Sequence, residues 1–290
     1  MLQFETVVAH VGAHKTGTSS LQDSLFKKSD EFLGHDIAVW RRWVFTKAIT
    51  GPYVRNRRRE VPEDTLKTLV PDRAKHLLIS DEDILGGCNI RGETSLYPNA
   101  AGNVLKLFKI FPAKRYELVL TIRELEKFAA SVYIQRLKVG ASMAAQDYFA
   151  DVYALRLQWS ELIQRLAEAV PDNCRIHVLN HDHEVNPRLV SLFTDLLDTD
   201  LGPFEFSSES NSSYGHAAIE IAQAGNRVLE TPEERKKLRQ FLQKNFPKQK
   251  GEVLNIIPVG VKDALAFGWQ LDCVRLAKIN APNVVLHDSF

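Results

Sequence analysis

Cysteine and methionine are scarce in this sequence. The 290 residues include 3 cysteines and 2 methionines, and Cys88, Cys174 and Cys273 form no Cys-x-x-Cys pair. An odd number of widely spaced cysteines argues against both a disulfide framework and a cysteine-based zinc module. We therefore expect a protein of a reducing compartment and predict a cytoplasmic location.

Long apolar runs and an excess of either charge are also missing. No stretch of eighteen uninterrupted apolar residues occurs, and the first residues carry no basic and then apolar segment. Neither a membrane span nor a signal peptide is predicted. With 37 Lys and Arg against 36 Asp and Glu, the formal net charge is +1, which gives no reason to expect nucleic acid or an anionic membrane as a partner. Any selectivity for anionic ligands must therefore come from a local cluster of basic residues and not from the net charge of the chain.

The composition and the pattern of apolar residues predict one α/β domain. Apolar residues make up 44% and charged residues 25% of the chain, as in folded proteins, and the length fits a single elaborated domain. Apolar runs at 6–11, 76–80, 116–121 and 175–179 predict strands, and helices are predicted from about Thr18, at 99–111 and 125–137, and after Pro187. This alternation is typical of a parallel sheet covered by helices on both faces.

Three other regions complete the predicted architecture. Residues from Tyr148 to Leu166 show helical spacing and predict one long amphipathic helix. The α/β core is expected to end near residue 205, and residues 206–290 are expected to form a helical elaboration with helices at 214–230, 232–246 and 261–279. Residues 35–75 are predicted to be an insertion on the acceptor side of the site.

The segment from His10 to Ser20 carries most of the functional argument. It follows a predicted strand and precedes a predicted helix, and Gly12 and Gly17 have the spacing of a phosphate-binding P-loop, G-x-x-x-x-G-K-[ST]. Thr18 stands where that motif has lysine, and a lysine lies inside the loop as Lys15. Backbone N–H groups, the dipole of the next helix and an ammonium can converge there on one anion. A simple connecting turn is the alternative, but the lysine and hydroxyls favour an anion site and a three-layer P-loop NTPase-like fold.

The run from His14 to Gln22 resembles the donor loop of sulfotransferases that use PAPS (3′-phosphoadenosine 5′-phosphosulfate), whose pattern is K-[ST]-G-T-[ST]-x-L. The resemblance implies that Lys15 contacts the bridging oxygen and the sulfuryl group. It also implies that the following residues supply backbone and hydroxyl donors to the phosphosulfate; these are Thr16, Gly17, Thr18 and Ser19. The family's proline before the lysine is replaced here by His14.

A second segment is similar to the family's R-x-P-x-x-R-x-x-S-x-Y pattern. Arg123 ends a predicted strand, and Ser131 lies eight residues later on the next predicted helix. The resemblance implies that these two residues bind the 3′-phosphate of the donor. The segment departs from the pattern at Leu125, where proline is usual, and at Phe128. Two motifs in family order make coincidence a poor explanation.

Sulfuryl transfer requires charge stabilisation and a base. Lys15 is the candidate for stabilising the leaving group. Glu82 is the candidate base because it follows the strand at 76–80, at the sheet edge where ligands of open α/β folds bind. Asp81 and His14 are the alternatives, and an acidic helix N-terminus is the competing structural interpretation of residues 81–83. No metal is required by this chemistry.

Three polar segments have less specific interpretations. His181, Asp182, His183 and Glu184 invite a metal interpretation, but a polar loop after a strand is favoured. Residues 211–213 resemble a late element of bacterial sulfotransferases that closes over the nucleotide, or else form an ordinary helix N-cap. A third segment is rich in arginine and contains Arg41, Arg42, Arg55 and Arg57 to Arg59 together with Trp40 and Tyr53. It is interpreted as a solvated face, as a lid over the donor or as a site for an anionic acceptor.

We therefore predict transfer of a sulfuryl group from PAPS to an acceptor hydroxyl, with PAP as the product and an acidic saccharide as one compatible acceptor. A P-loop kinase or NTPase is the alternative with the same architecture, although Thr18 replaces its essential lysine. A nucleotide-binding protein without catalysis is the alternative of another class. The sequence does not identify the acceptor or the oligomeric state.

Overall fold

A computed structural model describes residues 3–56, 60–182, 184–206, 214–249 and 251–290. Over these ranges the chain forms a six-stranded sheet of order β2-β3-β1-β4-β5-β6 in which all neighbouring strands are parallel. The strands are β1 Phe4–His10, β2 Ile37–Val39, β3 His76–Ser80, β4 Ala113–Ile122, β5 Cys174–Asn180 and β6 Val284–Leu286. The predicted α/β class with a central parallel sheet is confirmed.

Helices cover both faces of the sheet. The α-helices are α1 Thr18–Lys27, α2 Ser29–Gly34, α3 Arg42–Phe45, α4 Glu63–Leu69, α5 Ala100–Ile110, α6 Leu125–Lys138, α7 Ala145–Ala150, α8 Trp159–Ala169, α9 Val185–Leu197, α10 His216–Val228, α11 Pro232–Asn245 and α12 Val259–Leu276. Helix α3 continues into a π-helix, Thr46–Arg55, and short 3₁₀ turns occupy Glu82–Ile84 and Ala154–Arg156.

The alternation of side chains along the strands explains the three layers. Val7 and Ala9 of β1 belong to the larger apolar core, which includes residues of α5, α6 and α8, whereas Val8 belongs to a second core with α1 and α9. Successive side chains of a strand point to opposite faces of the sheet. Because both faces are covered, the strands read as continuous apolar runs, which is why their positions could be predicted.

The strand order places the loop after β1 at the centre of the sheet. Strand β1 pairs with β3 on one side and with β4 on the other. The chain runs from β1 to β2 and β3 on one side before it crosses to β4, so the order reverses at β1. Ligands of open α/β sheets bind at the carboxyl ends of the strands where the order reverses. The loop at 10–20, which the sequence analysis predicted to bind an anion, therefore lies at this position of the sheet.

The predicted long helix from Tyr148 to Leu166 is wrong. Helix α7 ends at Ala150, and α8 begins at Trp159. Asp272 of α12 accepts hydrogen bonds from the backbone N–H groups of Trp159 (2.6 Å) and Ser160 (3.3 Å), so it caps α8 from a distant part of the chain. Contacts with α12 therefore interrupt a segment whose apolar spacing alone favours an unbroken helix.

Two sheet strands were missed by the sequence analysis. Strand β2 lies within the predicted insertion at 35–75, and β6 lies within the C-terminal region that was predicted to be helical only. The three predicted C-terminal helices are present as α10, α11 and α12, and α9 begins before Pro187, at Val185. Among the described helices, none combines the length and the apolar character that crossing a membrane requires.

Candidate functional site

The loop after β1 is held in place by the neighbouring strand. The backbone N–H of Val11 donates to Val119 O (2.9 Å), and that of Ala13 donates to Thr121 O (2.8 Å). These bonds continue the pairing of β1 with β4 beyond the end of β1. The loop therefore leaves the sheet at a fixed point and in a fixed direction.

The backbone then turns twice through the left-handed region. Lys15 has a φ of 70° and Gly17 a φ of 75°. This conformation is uncommon for a lysine and is found where the surrounding structure enforces it, often at binding sites. At Gly12 a side chain would collide with the protein, because a Cβ there would lie 3.0 Å from both His10 Nε2 and Thr18 Cγ2. The compact loop therefore depends on glycine at that position.

The N-terminus of α1 opens into the cleft that this loop borders. Gly17 is its N-cap residue and offers no side chain to the first N–H groups of the helix, which are therefore suited to an anion. Thr18 and Ser19 line the cleft. Thr16 differs from the other predicted loop residues because it is buried and its hydroxyl donates to Ala13 O (2.6 Å). The Thr16 hydroxyl stabilises the turn.

Lys15 extends from the loop across the cleft to α6. Its Nζ donates to Gln135 Oε1 at 3.2 Å, while its carbonyl oxygen accepts a hydrogen bond from Arg123 Nη1 at 2.6 Å. The hydrogen bond from Arg123 therefore stabilises the left-handed backbone conformation of Lys15. Burial lowers the pKa of Lys15, and Glu82 acts in the opposite direction. A partly desolvated ammonium therefore lies among polar groups from three parts of the chain.

Both ring nitrogens of His14 have partners. Nδ1 lies 3.1 Å from the Tyr97 hydroxyl and Nε2 lies 3.4 Å from Asp83 Oδ1. The His14 backbone N–H also donates to the Tyr97 hydroxyl (3.0 Å), and the two rings stack with centroids 5.8 Å apart. A Tyr97 hydroxyl that donates to Nδ1 leaves Nε2 to donate to Asp83. His14 therefore fixes the loop to its surroundings and has no nitrogen turned toward a substrate in this structure.

Asp81 is buried beneath the site. It is fully inaccessible to solvent and accepts hydrogen bonds from the hydroxyls of Thr46 (2.9 Å) and Thr50 (2.6 Å), both on the π-helix. Burial raises the pKa of Asp81 to about 6, although the Thr50 hydrogen bond acts to lower it. Because Asp81 cannot reach the cleft, it connects β3 to the π-helix and is a poor candidate for the base.

Glu82, in contrast, reaches the cleft. It is 7% exposed and belongs to the cleft lining, and its Oε2 accepts a hydrogen bond from Gln22 Nε2 at 2.8 Å. Arg42 Nε lies 3.2 Å from the same oxygen, and Arg42 Nη2 lies 2.5 Å from Asp83 Oδ2. Glu82 is thus held in one orientation by an amide and a guanidinium.

Of the described arginines of this segment, Arg42 and Arg55 contact these carboxylates, whereas the Arg41 guanidinium lies 5.1 Å from the centroid of the Phe26 ring. Arg42 contacts Glu82 and Asp83, and Arg55 Nη1 lies 3.3 Å from Asp83 Oδ1. Burial acts to lower the pKa of Arg42, but the neighbouring carboxylates raise it. Arg57 to Arg59 lie outside the described residues. Arg42 and Arg55 therefore organise the acidic segment at 81–83.

A cleft of about 1590 Å³ brings the predicted residues together. Its lining includes eight of the residues predicted from the sequence, namely His14, Lys15, Gly17, Thr18, Ser19, Glu82, Arg123 and Ser131. Among the residues that the structure describes, its lining contains ten Lys or Arg side chains and four Asp or Glu side chains, in a chain of formal net charge +1. The surplus of positive charge is therefore local and favours an anionic ligand.

Helix α6 supplies further cleft residues that the sequence analysis did not identify. Ser131, Gln135 and Lys138 all line the cleft. They follow one another at steps of four and three residues, which places them on one side of a helix. This spacing was the signal available in the sequence. The cleft-lining residues of α6 therefore extend beyond the predicted Ser131.

The C-terminal region builds the opposite wall of the cleft. The lining residues from this region are Arg239 of α11, Lys248 and Leu254 between α11 and α12, and Lys262 of α12. Helix α10 holds this wall against α6, because Asn226 Nδ2 donates to the carbonyl oxygens of Leu137 and Ala141, both at 2.8 Å. No motif in the sequence indicated that residues beyond 230 contribute to the site.

His181 lies against the loop that follows β1. A Cβ on Gly17 would be 3.4 Å from His181 Cε1, and the His181 backbone N–H donates to Ile122 O (2.8 Å). Burial and the nearby Arg123 lower the pKa of His181 to about 4, so the ring is neutral at pH 7. Its Nδ1 is buried without a hydrogen-bond partner among the described residues.

Among the other predicted polar segments, His183 and residues 211–213 lie outside the described residues. Over the described ranges, no three or more His, Cys, Asp or Glu side chains are arranged to hold a metal ion.

Comparison with known proteins adds no relative: no protein-family model, no curated protein and no solved structure matches this chain.

Proposed function

We propose that this protein transfers a sulfuryl group from PAPS to an acceptor hydroxyl. The observation that carries the proposal is the convergence, in one basic cleft, of the loop around Lys15 with Arg123 and Ser131. These come from two segments about a hundred residues apart, and each resembles the corresponding donor-binding element of PAPS-dependent sulfotransferases. A generic anion site accounts for the loop but not for the second basic element beside it.

The two elements suit the two charged ends of the donor. The first N–H groups of α1 and the Lys15 ammonium suit the 5′-phosphosulfate, because both favour an anion at the helix N-terminus. Arg123 and Ser131 suit the 3′-phosphate. Arg123 also holds the Lys15 carbonyl, so a phosphate bound by its guanidinium would be coupled directly to the loop.

In the proposed reaction the acceptor oxygen attacks sulfur while the bond from sulfur to the 5′-phosphate oxygen breaks. Negative charge develops on the departing phosphate of PAP, where the Lys15 ammonium can stabilise it. The acceptor hydroxyl loses its proton to Glu82. Both contacts of Glu82 described above engage Oε2, so Oε1 is the oxygen available to the acceptor. Asp81 is buried and His14 is turned toward Tyr97 and Asp83, which leaves Glu82 as the best candidate.

A kinase or NTPase of the same architecture is less well supported. Such enzymes require a lysine at the end of the loop and a carboxylate that holds Mg²⁺. Thr18 occupies the lysine position, and Arg42 pairs with Glu82 and Asp83 at the end of the neighbouring strand. An Mg²⁺ site there would have to displace the guanidinium.

Ligand-dependent thermal stability separates these proposals. We expect PAP to raise the unfolding midpoint, because a ligand present at a hundred times its Kd stabilises the folded state by about 2.7 kcal/mol. For a chain of this size that corresponds to roughly 4–5 °C. ATP with Mg²⁺, at equal concentration, is expected to have a smaller effect. Stabilisation by ATP with Mg²⁺ and none by PAP would overturn the proposal. Binding of PAP without turnover of PAPS would favour a non-catalytic role.

Replacing Arg123 by methionine tests the 3′-phosphate site. We expect PAP to bind about ten- to a hundredfold more weakly, since a charge-assisted hydrogen bond contributes about 1.5–3 kcal/mol. Isothermal titration of PAP measures this change. Lys127→Met is the matched control, because Lys127 lines the same cleft but pairs with Glu124 at 2.6 Å; its PAP affinity should change by less than about threefold. Equal affinities of Arg123→Met and wild type, with both folded, would refute this assignment.

A further inference from the structure

A small pocket, which we call the side pocket, adjoins the main cleft beside α6. Its volume is about 160 Å³, and its lining includes Asn89, Arg91, Tyr133, Arg136, Met143 and Tyr148. Asn89 and Arg136 also line the main cleft, so the two cavities share a wall. A cavity of about 150 Å³ holds a benzene molecule. The side pocket therefore has room for one six-membered ring.

Two tyrosines of the side pocket differ in how their hydroxyls are used. Their ring centroids are 5.2 Å apart. The Tyr133 hydroxyl donates to Met143 O (2.9 Å) and accepts from Gln223 Nε2 (2.5 Å), so it is committed to the fold. Tyr148 is 4% exposed, and its hydroxyl is buried with no hydrogen-bond partner among the described residues. Because a buried hydroxyl without a partner is costly, the Tyr148 hydroxyl is a donor suited to a ligand in the side pocket.

The charge of the side pocket favours a carboxylate. Among the residues that the structure describes, Arg91 and Arg136 line the pocket and no Asp or Glu does. Arg91 Nη2 pairs with Asp151 Oδ2 at 2.5 Å, which leaves Arg136 as the source of net positive charge. Burial raises the pKa of Tyr148 to about 12, although Arg136 and the backbone of Ile90 act to lower it. A protonated hydroxyl and a guanidinium are both donors, so they suit a ligand that carries acceptor oxygens and a negative charge.

The side pocket lies next to the proposed centre of transfer. Gln135, the residue before Arg136, accepts the hydrogen bond from Lys15 Nζ at 3.2 Å. Successive residues of a helix are about 100° apart around its axis. The Lys15 ammonium and the side pocket therefore lie on neighbouring sides of α6. A ring in the pocket can present a hydroxyl to the cleft across the wall that the two cavities share.

We infer that the side pocket is an acceptor subsite for a six-membered ring that carries a carboxylate, with Arg136 paired to the carboxylate and the Tyr148 hydroxyl donating to an oxygen of the acceptor. Uronic acid units of saccharides and phenolic acids share this chemistry. The inference rests on the proposed function for the identity of the donor, and it names the chemical class of the acceptor. It also moves the predicted acidic acceptor away from the arginine segment, since Arg42 and Arg55 are paired with residues 81–83.

The first experiment is isothermal titration of glucuronate and, separately, of 4-hydroxybenzoate into the protein saturated with PAP. We expect at least one of them to bind, and the tighter one identifies the source of the ring. Tyr148→Phe removes only the hydroxyl, so it should weaken that ligand by about two- to tenfold, the loss of one hydrogen bond. Tyr153→Phe is the matched control, because Tyr153 is exposed and lines neither cavity; its affinity should stay within about twofold of wild type.

The second experiment tests the charge of Arg136. The neutral probes keep the ring and lack the carboxylate; they are methyl glucoside for the sugar and 4-hydroxybenzamide for the phenol. We expect Arg136→Met to weaken the carboxylate ligand by about tenfold or more and the neutral probe by much less, because only the carboxylate forms a charge-assisted contact. The affinity for PAP should change little. Arg156→Met, at an exposed arginine that lines neither cavity, is the control for the loss of one positive charge.

Three results would overturn the inference. They are failure of both carboxylates to bind, equal affinity of wild type and Tyr148→Phe for the ligand, and an equal loss of PAP and ligand affinity in Arg136→Met, which would assign Arg136 to the donor. If PAP itself does not bind, the proposed function fails. The same titrations without PAP then still decide whether the side pocket binds a carboxylate through Tyr148 and Arg136.

Discussion

Replacing Glu82 by glutamine is expected to lower kcat with PAPS by about 10²- to 10⁴-fold, the usual contribution of a general base. Glutamine preserves the size of the side chain and can still accept the hydrogen bond that Gln22 donates to Oε2. It cannot take a proton from the acceptor. The affinity for PAP should therefore change little, and the loss should appear in turnover. Single-turnover transfer of labelled sulfate together with titration of PAP separates the two quantities.

Glu126→Gln is the matched control for that substitution. Glu126 is a carboxylate in the lining of the same cleft, on α6, and it pairs with Lys262 at 3.5 Å. Its loss changes the charge of the cleft equally without touching the proposed base, so kcat should stay within a few-fold of wild type. If Glu82→Gln keeps full activity, Glu82 is not the base. His14→Gln then becomes the next test, although both ring nitrogens of His14 have partners.

The main strands and helices of the fold could be predicted because their signals are local. The runs that became β1, β3, β4 and β5 are largely buried on both faces and therefore predominantly apolar. The edge strands β2 and β6 contain three residues each, too few to show a period. The break between α7 and α8 depends on Asp272, more than a hundred residues away in the sequence, which no periodicity could reveal.

The residues of the candidate site also fall into two groups, those with a local sequence pattern and those placed by tertiary packing. The residues proposed to bind the donor could be singled out because the loop around Lys15 and the segment from Arg123 to Ser131 each carry a short pattern in consecutive residues, and the structure places them in one cleft. Lys138, Arg239 and His181 enter the site through the packing of α6, α11 and the end of β5. Their positions follow from the topology. Thr16 shows the converse, because its hydroxyl fits the pattern but is committed to Ala13 O.

Replacing Lys15 by methionine is expected to lower kcat by about 10²- to 10³-fold, as loss of a donor that stabilises transition-state charge does. Methionine keeps an unbranched apolar stem and removes only the ammonium, so the left-handed turn and the carbonyl that Arg123 holds are retained. PAP should lose less than about tenfold in affinity, because Arg123 and the N-terminus of α1 remain. Turnover with PAPS and titration of PAP measure the two effects.

The contrast between these two effects is what identifies the role of Lys15. The charge on the leaving phosphate develops only as the bond to sulfur breaks, so an ammonium placed for that oxygen contributes more to the transition state than to the bound donor. If Lys15→Met weakens PAP and leaves kcat unchanged, Lys15 is a binding residue and the leaving group is stabilised elsewhere. Its partly desolvated Nζ lies in the cleft, and Gln135 holds it there at 3.2 Å, which leads us to expect the opposite result.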